Sequence, residues 1–217
     1  MTAASEASLL EIRELGRVPY AAALTLQEEL RDARLEGRGR DTVLLLEHPD
    51  VITFGRGARN QNARLSDGAL RAAGYQVLRV NRGGDVTWHG PGQLVGYPIL
   101  DLERHGRDVH LYLRRLEGVL IDTLADFGIS ALRREGYAGV WLDQTLKIAS
   151  IGVGMRRWVT LHGFALCVSC DLSRFDAIVP CGLAGIEMTS MERVLGRPVA
   201  LPEVRERTAA HLRKAFD

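Results

Sequence analysis

The segment from Arg82 to Gly92, RGGDVTWHGPG, constrains the fold of this 217-residue chain more than any other feature. It carries four glycines and leads directly from the strand-like QVLRVN into the strand-like LVGYPILDL. Such a loop suits close backbone approach, and its free amides could hold a carbonyl oxygen. It is not a P-loop, because the GxxxxGK[ST] order is absent and no helix follows to hold a phosphate. The alternative is an irregular hairpin in which Arg82 pairs with Asp85.

The other patterns alternate between helices and short strands. Helices are predicted from Pro19 to about Gly37, over SDGALRAAG, from Asp108 to Gly128, and from Pro202 onward. The strand-like runs ALRRE, GVWLD, LKIASIGVG and VTLHGFALCVSC follow one another without helices, so the fold is not purely βαβ. We expect an α/β fold of the α+β type, with a mixed, largely antiparallel sheet flanked by helices. Residues 1–217 should form a single domain, with residues 1 to about 10 flexible.

Charge and cysteine content limit the classes of partner. The chain has 28 basic and 27 acidic residues, so no broad electrostatic field draws it to nucleic acid or to a membrane. The start, MTAASEASLL, lacks a basic n-region, and no segment approaches the roughly 20 apolar residues of a membrane span. Three cysteines without an export signal favour free thiols in a reducing compartment. We therefore expect a cytoplasmic protein.

Cys181 is the first candidate for chemistry. It lies in IVPCGLAG, where Pro180 precedes it and Gly182 and Gly185 follow, which predicts a rigid turn outside regular structure. A thiol there can be exposed, and a nearby ammonium group would favour the nucleophilic thiolate. The alternative is a small buried hydrophobic residue, which is the usual role of a free cysteine.

Lys147 is the second candidate. Apart from Lys147 and Lys214, all of the basic residues are arginines, so this chain gives general cationic roles to arginine. Lys214 lies in the last turn of a charged helix, but Lys147 lies among small and apolar residues in LKIASIGVG. A lysine can release its proton near neutral pH and an arginine cannot, so this position is a candidate acid/base. Codon bias with a chance surviving lysine is the alternative.

The remaining cysteines and histidines allow other interpretations. Cys167 and Cys170, together with His162 and Cys181, could form a zinc site. We expect packing roles instead, because residues three apart on a strand face opposite sides. A thioredoxin-like pair is disfavoured because no helix follows the C-x-x-C. His89 and His162 lack a matching GxSxG elbow, and we expect histidines that are hydrogen-bonded to backbone and shape the site without transferring protons.

The run RGGDVTWHGPGQLVGYP resembles the signature of the lipoyl(octanoyl) transferases, and the resemblance continues through EHPDVITFGR, LKIASIGVG, LHGFAL and DLSRFDAIVPCGL. It implies the fold of biotin and lipoate protein ligase catalytic domains, a catalytic Cys181/Lys147 pair, no cofactor and no metal. It also implies a set of substrate-binding residues: Arg82, Gly83, Gly84, Asp85, Val86, Thr87, Trp88, His89, Ser150, Ile151, Gly152, Gly163, Phe164 and Ala165. The family usually has asparagine at the position of Cys167.

The function that the resemblance implies is the first step of endogenous protein lipoylation. An octanoyl group would move from octanoyl-acyl-carrier-protein, through a cysteine thioester, to a lysine of an apo lipoyl domain. The acceptors would be 2-oxoacid dehydrogenase E2 subunits and the glycine cleavage H protein. Two alternatives remain, an ATP-dependent lipoate or biotin-type ligase and a non-catalytic module that binds acyl groups or carrier proteins. A ligase does not need a cysteine after the proline, and a binding module needs neither chemical residue.

Overall fold

The computed structural model describes residues 10–183 and 185–217. The helices are α1 (Tyr20–Leu35), α2 (Asp67–Ala72), α3 (Val109–Ala125), α4 (Met191–Leu195) and α5 (Leu201–Phe216). The strands are β1 (Glu11–Arg17), β2 (Thr42–Glu47), β3 (Val51–Phe54), β4 (Gln76–Arg79), β5 (Val86–His89), β6 (Gln93–Ile99), β7 (Leu132–Arg134), β8 (Tyr137–Trp141), β9 (Leu146–Arg156), β10 (Val159–Cys167) and β11 (Glu187–Met188). Short 3-10 turns cover Asn60–Asn62, Leu172–Ala177 and Pro180–Gly182.

The strands form two sheets. The larger sheet has the order β1-β2-β6-β10-β9-β8-β7, and β11 also pairs with β9. Its pairs are antiparallel except for β1 with β2 and β11 with β9. The smaller sheet has the order β4-β3-β5, with β3 parallel to β4 and antiparallel to β5. The predicted α/β fold with a mixed, largely antiparallel sheet is therefore confirmed.

Helices cover both faces of the larger sheet. On one face, α3 and α5 bury side chains such as Leu116, Leu120 and Leu212 in the largest apolar cluster. On the other face, Tyr20 and Ala23 of α1 pack against residues of β2, β6 and β10. A buried Leu side chain stabilises a fold by about 1.5–3 kcal/mol, so these two layers hold the sheet between them.

The helix ends follow ordinary capping chemistry. The Asp108 carboxylate accepts hydrogen bonds from the amides of His110 and Leu111, which have no partner within the first turn of α3. Pro202 occupies the first turn of α5, where a missing amide hydrogen costs nothing. None of the helices that the structure describes combines the length and hydrophobicity needed to cross a bilayer.

The chain departs from expectation at two places. The glycine-rich segment contains a strand, β5, in place of an uninterrupted loop, because Val86–His89 pairs with β3 in the smaller sheet. We expected residues 1 to about 10 to be flexible, and residues 1–9 of that segment lie outside the described residues. Leu10 is buried, and its amide donates to Oδ1 of Asp217 at 2.8 Å, so Leu10 itself is held in the fold.

Candidate active site

Lys147 and Cys181 meet in the folded chain. Lys147 lies near the start of β9, and Cys181 lies in the 3-10 turn Pro180–Gly182. The Nζ of Lys147 is 3.1 Å from the Sγ of Cys181. The lysine is 2% exposed and the cysteine is half-buried, so a reagent in the cavity can reach the sulfur while the ammonium group stays beneath it. An ammonium group at hydrogen-bonding distance favours a thiolate.

Strand β8 holds the lysine side chain in place. The Nζ donates to the carbonyl oxygen of Ala138 at 3.1 Å. The neighbouring residue is a glycine, and a Cβ at Gly139 would lie 2.7 Å from Cε of Lys147 and 2.6 Å from the carbonyl oxygen of Ala149. Gly139 has a φ of +128°, which also disfavours other residues there. The lysine chain therefore runs along a groove that only glycine leaves open.

The turn that carries Cys181 is strained and anchored from the side. Cys181 and Gly182 have consecutive left-handed φ values of +58° and +66°, and for a residue with a Cβ this conformation costs about 1–2 kcal/mol. The side chain of Asn62 donates from Nδ2 to Oδ2 of Asp85 at 2.6 Å, and its backbone carbonyl oxygen accepts from the amide of Val179 at 2.7 Å. A Cβ at Gly182 would lie 2.3 Å from that Asp85 oxygen. The Asn62–Asp85 pair thus fixes the turn that presents the thiol.

Arg82 is a buried cation beside the cavity. Its guanidinium donates to the Thr53 hydroxyl at 2.9 Å, to the Thr53 carbonyl at 2.7 Å and to the Gly83 carbonyl at 3.0 Å. Within residues 10–183 and 185–217 it has no carboxylate at ion-pair distance, and Asp85 bonds to Asn62 and to the Val86 amide instead. The hairpin alternative with an Arg82–Asp85 pair is not formed. Burial lowers the pKa of Arg82, but a guanidinium remains charged in proteins.

A cavity of about 370 Å³ connects these groups. It is lined by Tyr20, Arg82–Thr87, His89, Tyr97, Leu113, Gly136–Ala138, Lys147, Ser150–Val153, His162–Ala165, Cys181 and Leu183. All of the predicted substrate-binding residues except Trp88 line it. Trp88 faces the other side of β5, where its ring packs against Phe175 at 5.0 Å and Nε1 donates to Asp50. Successive residues of a strand face opposite sides, so Thr87 and His89, which flank Trp88, share the cavity side.

A histidine–tyrosine cluster contributes four of its five members to the cavity wall, the exception being His48. The cluster consists of Tyr20, His48, His89, Tyr97 and His162, whose rings lie within 6.5 Å of a neighbouring ring in the group. His162 shares hydrogen bonds with the Tyr20 hydroxyl at 3.3 Å and with Oδ1 of Asn81 at 2.6 Å. His48 bonds to the Tyr97 hydroxyl at 2.7 Å through Nε2. Side chains, more than backbone groups, therefore orient these rings.

Burial keeps the cluster neutral. Desolvation lowers the pKa of His48 to about 4 and of His162 to about 4, and lowers that of His89 well below its ordinary value. Desolvation likewise raises the pKa of Tyr20 to about 12 and raises that of Tyr97 well above its ordinary value. Near neutral pH, none of these five groups carries charge, which agrees with a role in shaping the cavity.

Cys167 and Cys170 are neighbours in the second apolar cluster. Strand β10 ends at Cys167, and the amides of Val168 and Ser169 then turn to the carbonyl of Gly92. The expectation that the two thiols face opposite sides assumed a strand through Cys170, but the strand ends before that residue, and both thiols lie buried in the same cluster. The neighbouring Cys170 thiol and burial raise the pKa of Cys167 well above its ordinary value. In the part of the chain that the structure describes, no three His, Cys, Asp or Glu side chains converge as metal ligands.

Several site residues had no signal in the sequence. Tyr20, Tyr97 and Tyr137 line the cavity, and Asn62 anchors the cysteine turn, but each belongs to a segment that local pattern explains without a site. The sequence pattern predicts Tyr20 as the first residue of a helix after Pro19, and it predicts Tyr97 as part of a strand. Only the pairing of distant strands brings them to Cys181, and periodicity does not encode that pairing.

The chain is similar to known proteins over most of its length. The family profile described as lipoyl protein ligase A/B catalytic domain matches residues 19–213. A protein named octanoyltransferase from Solibacter usitatus is 53% identical over 206 residues, covering 95% of this chain and 92% of that protein. An octanoyltransferase from Geobacter metallireducens is 51% identical over 198 residues, covering 91% and 89%.

Solved structures share the fold at low identity. A bipartite archaeal lipoate protein ligase from Thermoplasma acidophilum superposes with a TM-score of 0.73 at 16% identity, over 95% of this chain and 83% of that chain. A lipoate-protein ligase A bound with ATP superposes with a TM-score of 0.70 at 15% identity, over 95% and 84%. At these identities, the likeness concerns the fold alone.

Proposed function

This chain belongs to the family of lipoyl protein ligase A/B catalytic domains and is an enzyme that transfers octanoyl groups in protein lipoylation, and we propose that it does so through a thioester on Cys181. The observation that supports the thioester is the 3.1 Å contact between Nζ of Lys147 and Sγ of Cys181. This contact joins the lysine and the cysteine that the sequence analysis selected as candidates for chemistry, and both residues line one cavity.

In the first half-reaction, the Cys181 thiolate attacks the carbonyl carbon of the octanoyl thioester. A new carbon–sulfur bond forms to Sγ, the bond to the donor's sulfur breaks, and the Lys147 ammonium gives its proton to the departing thiolate. Backbone amides of the glycine loop at Gly84 and Asp85, which line the cavity, would hold the oxyanion of the tetrahedral intermediate.

In the second half-reaction, a lysine amine of the acceptor attacks the octanoyl carbon. A carbon–nitrogen bond forms, the bond to Sγ breaks, and the amine proton passes to the neutral Lys147 amine. The ammonium–thiolate pair is thereby restored. No nucleotide or metal is consumed in this scheme, because a thioester is already activated toward an amine.

The partners in this proposal are an octanoyl-acyl-carrier-protein as donor and apo lipoyl domains as acceptors. The acceptors would be 2-oxoacid dehydrogenase E2 subunits and the glycine cleavage H protein. We place the enzyme in the cytoplasm as part of the same proposal, because a thioester on Cys181 requires a reduced thiol.

The segment between Gly55 and Arg64 provides a surface on which an acidic donor could approach. The amide of Arg56 donates to the Arg82 carbonyl at 3.0 Å, and the amide of Arg64 donates to the Ala177 carbonyl at 3.0 Å, so the segment borders both the glycine loop and the cysteine turn. Arg56, Arg59 and Arg64 are exposed, and none has a carboxylate at ion-pair distance within residues 10–183 and 185–217. We propose these three arginines as the docking patch.

The competing function is that of an ATP-dependent ligase, which the fold also permits. A ligase activates a free carboxylic acid as an adenylate and has no use for a thiol–ammonium pair. The two functions therefore require different substrates. The single most informative experiment compares octanoyl carrier protein alone with octanoate plus ATP and magnesium, each with apo lipoyl domain, and follows octanoyl-lysine by intact mass.

We expect product with the carrier protein alone, and one octanoyl group on the enzyme when the acceptor is omitted. Cys181→Ala should carry no octanoyl group and should lose transfer. Cys170→Ala removes a thiol that is buried away from the cavity and should keep both, which makes it the matched control. Product only in the mixture with ATP would contradict the transfer from a thioester. Normal turnover by Cys181→Ala would contradict the covalent intermediate alone.

A further inference from the structure

The ammonium group of Lys147 has three N–H donors and little contact with water. One donor reaches the carbonyl oxygen of Ala138 at 3.1 Å, and a second reaches the Sγ of Cys181 at 3.1 Å. The remaining partner is the ring of Trp141, whose centroid lies 4.7 Å from Nζ. The face of an indole ring is the best aromatic acceptor for a cation. The lysine head group is therefore enclosed by a carbonyl, a sulfur and a ring.

A β-bulge brings the ring and the lysine to the same face of the sheet. Gly139 pairs with Ser150 and Val140 with Ala149, so a regular antiparallel ladder would next place Trp141 opposite Ile148. The register shifts by one residue at this point, and Trp141 lies opposite Lys147 instead. A one-residue slip turns a side chain to the other face of a sheet. The bulge thus creates the contact between Trp141 and Lys147.

The setting of Trp141 strengthens this contact. Its side chain is fully buried at 0% exposure, where a cation is attracted to an aromatic face more strongly than at an exposed site. From β7, on the other side of β8, the guanidinium of Arg134 also lies over the ring, with Cζ 5.0 Å from the centroid. The ring therefore contacts two cations that reach it from the two flanking strands.

We propose that Trp141 is a positioning residue for the transfer reaction, one whose ring holds the Lys147 ammonium against the Cys181 sulfur and so sustains the thiolate. This inference rests on the proposed Cys181–Lys147 chemistry and deepens it. The ring does not touch the substrate, and it acts only through the lysine. An apolar side chain at position 141 would fill the core but would leave the third donor of Lys147 without a partner.

The test measures the thiolate directly and needs no octanoyl donor. Alkylation of Cys181 by iodoacetamide is followed by intact mass from pH 5 to 10 in the full-length protein. Trp141→Leu should raise the pH of half-maximal alkylation by about one pH unit, since a cation–π contact of 1–2 kcal/mol corresponds to about that shift. Trp141→Phe keeps a weaker aromatic face and should shift the profile by less.

Two controls separate positioning from packing. Trp158→Phe changes another tryptophan that lies over an arginine, Arg107, but borders the hairpin between β9 and β10 and does not line the cavity. Its alkylation profile should match that of the wild type. In a Lys147→Met background, Trp141→Leu should cause no further shift, because the ring acts only through the ammonium group.

A profile for folded Trp141→Leu that coincides with the wild type would overturn the inference, as would an equal shift in the Lys147→Met background. If Trp141→Leu fails to fold, a fluorinated tryptophan at position 141 alone weakens the ring face while keeping its shape, and it must still raise the half-maximal pH. If the wild-type protein does not transfer octanoyl groups from a carrier-bound thioester but Trp141→Leu still shows the expected alkylation shift, the proposed function fails and the effect of Trp141 on the Lys147–Cys181 pair stands.

Discussion

Lys147 and His162 line the same cavity at almost the same depth, yet they differ in the partners that surround them. Lys147 is 2% exposed and His162 is 1% exposed. Lys147 contacts a carbonyl, a sulfur and an aromatic face. His162 contacts a hydroxyl and an amide oxygen, and desolvation lowers its pKa to about 4. Depth alone does not separate the dyad of Lys147 and Cys181 from the histidine–tyrosine cluster, but the partners of each group do.

The difference assigns separate tasks to the two groups. Proton transfer near neutral pH requires a group that gains and loses a proton at that pH. The pKa values of the cluster's histidines are lowered, so these histidines stay neutral near pH 7. We therefore propose the dyad as the part of the cavity that does the chemistry, and the cluster as the part that gives the cavity its shape. Replacing members of each group should produce losses of different size and different pH dependence.

The largest effect should come from Lys147→Arg. The guanidinium keeps a positive charge near Cys181 but cannot release its proton. We expect the rate of octanoyl transfer to fall by about 100- to 10,000-fold, the usual range for loss of a general acid/base. The measurement is the steady-state kcat with a carrier-bound octanoyl donor. A variant that retains near-wild-type kcat would limit the lysine to an electrostatic role.

The next effect concerns stability, and it tests the neutrality of the cluster. The pKa of His48 is about 4 in the fold and near 6.5 when unfolded, so the unfolded chain binds more protons between these values. The free energy of unfolding should therefore be highest above about pH 6.5 and should fall by about 3 kcal/mol for this histidine as the pH drops toward 4. His162 should add a similar loss.

Urea unfolding at several pH values measures this loss. His48→Gln removes one titrating group while keeping polar atoms for the Val18 carbonyl and the Tyr97 hydroxyl. The variant should lose less stability than the wild type between pH 7 and pH 4. An unchanged dependence on pH would show that His48 does not titrate in this window.

The smallest effect should come from His89→Gln, which changes the cavity wall without touching the dyad. His89 shares a hydrogen bond with Oε1 of Gln93 at 3.2 Å, and a glutamine can make a similar bond. We expect kcat to change by less than about tenfold, with an unaltered pH profile, because the imidazole transfers no proton. A loss of kcat comparable to that of Lys147→Arg would show that His89 takes part in proton transfer and does not only shape the cavity.

The dyad could be predicted from sequence because both of its members stand in unusual local contexts. A lysine is rare in this arginine-rich chain, and a cysteine between proline and glycine predicts an ordered turn. The same holds for the glycine loop, whose residues from Arg82 to Thr87 line the cavity. Local context singled out these positions, and the resemblance to the lipoyl(octanoyl) transferases supplied the catalytic pairing and the substrate-binding assignments.

The rest of the site depends on contacts between distant segments. The strand at Val86–His89 forms because β3 pairs with it, although its glycine-rich surroundings indicate a loop, and this pairing turns Trp88 away from the cavity. The proximity of Cys167 and Cys170 depends on where β10 ends, and strand ends are set by hydrogen-bond partners such as Gly92. Asn62 and Trp141 act through pairings that no periodicity in the sequence encodes.

The left-handed backbone at Cys181 favours a residue other than cysteine for stability, whereas the proposed chemistry requires a thiol at this position. At a φ of +58°, glycine or asparagine would fold with less strain than cysteine, by about 1 kcal/mol in the case of glycine. The thiol is therefore held at a position where folding alone favours its replacement. If the proposed thioester forms on Cys181, a descendant of this chain that no longer needed it would gain stability by losing the cysteine. Glycine or asparagine at this position would then be a recognisable mark of lost chemistry in an otherwise intact fold.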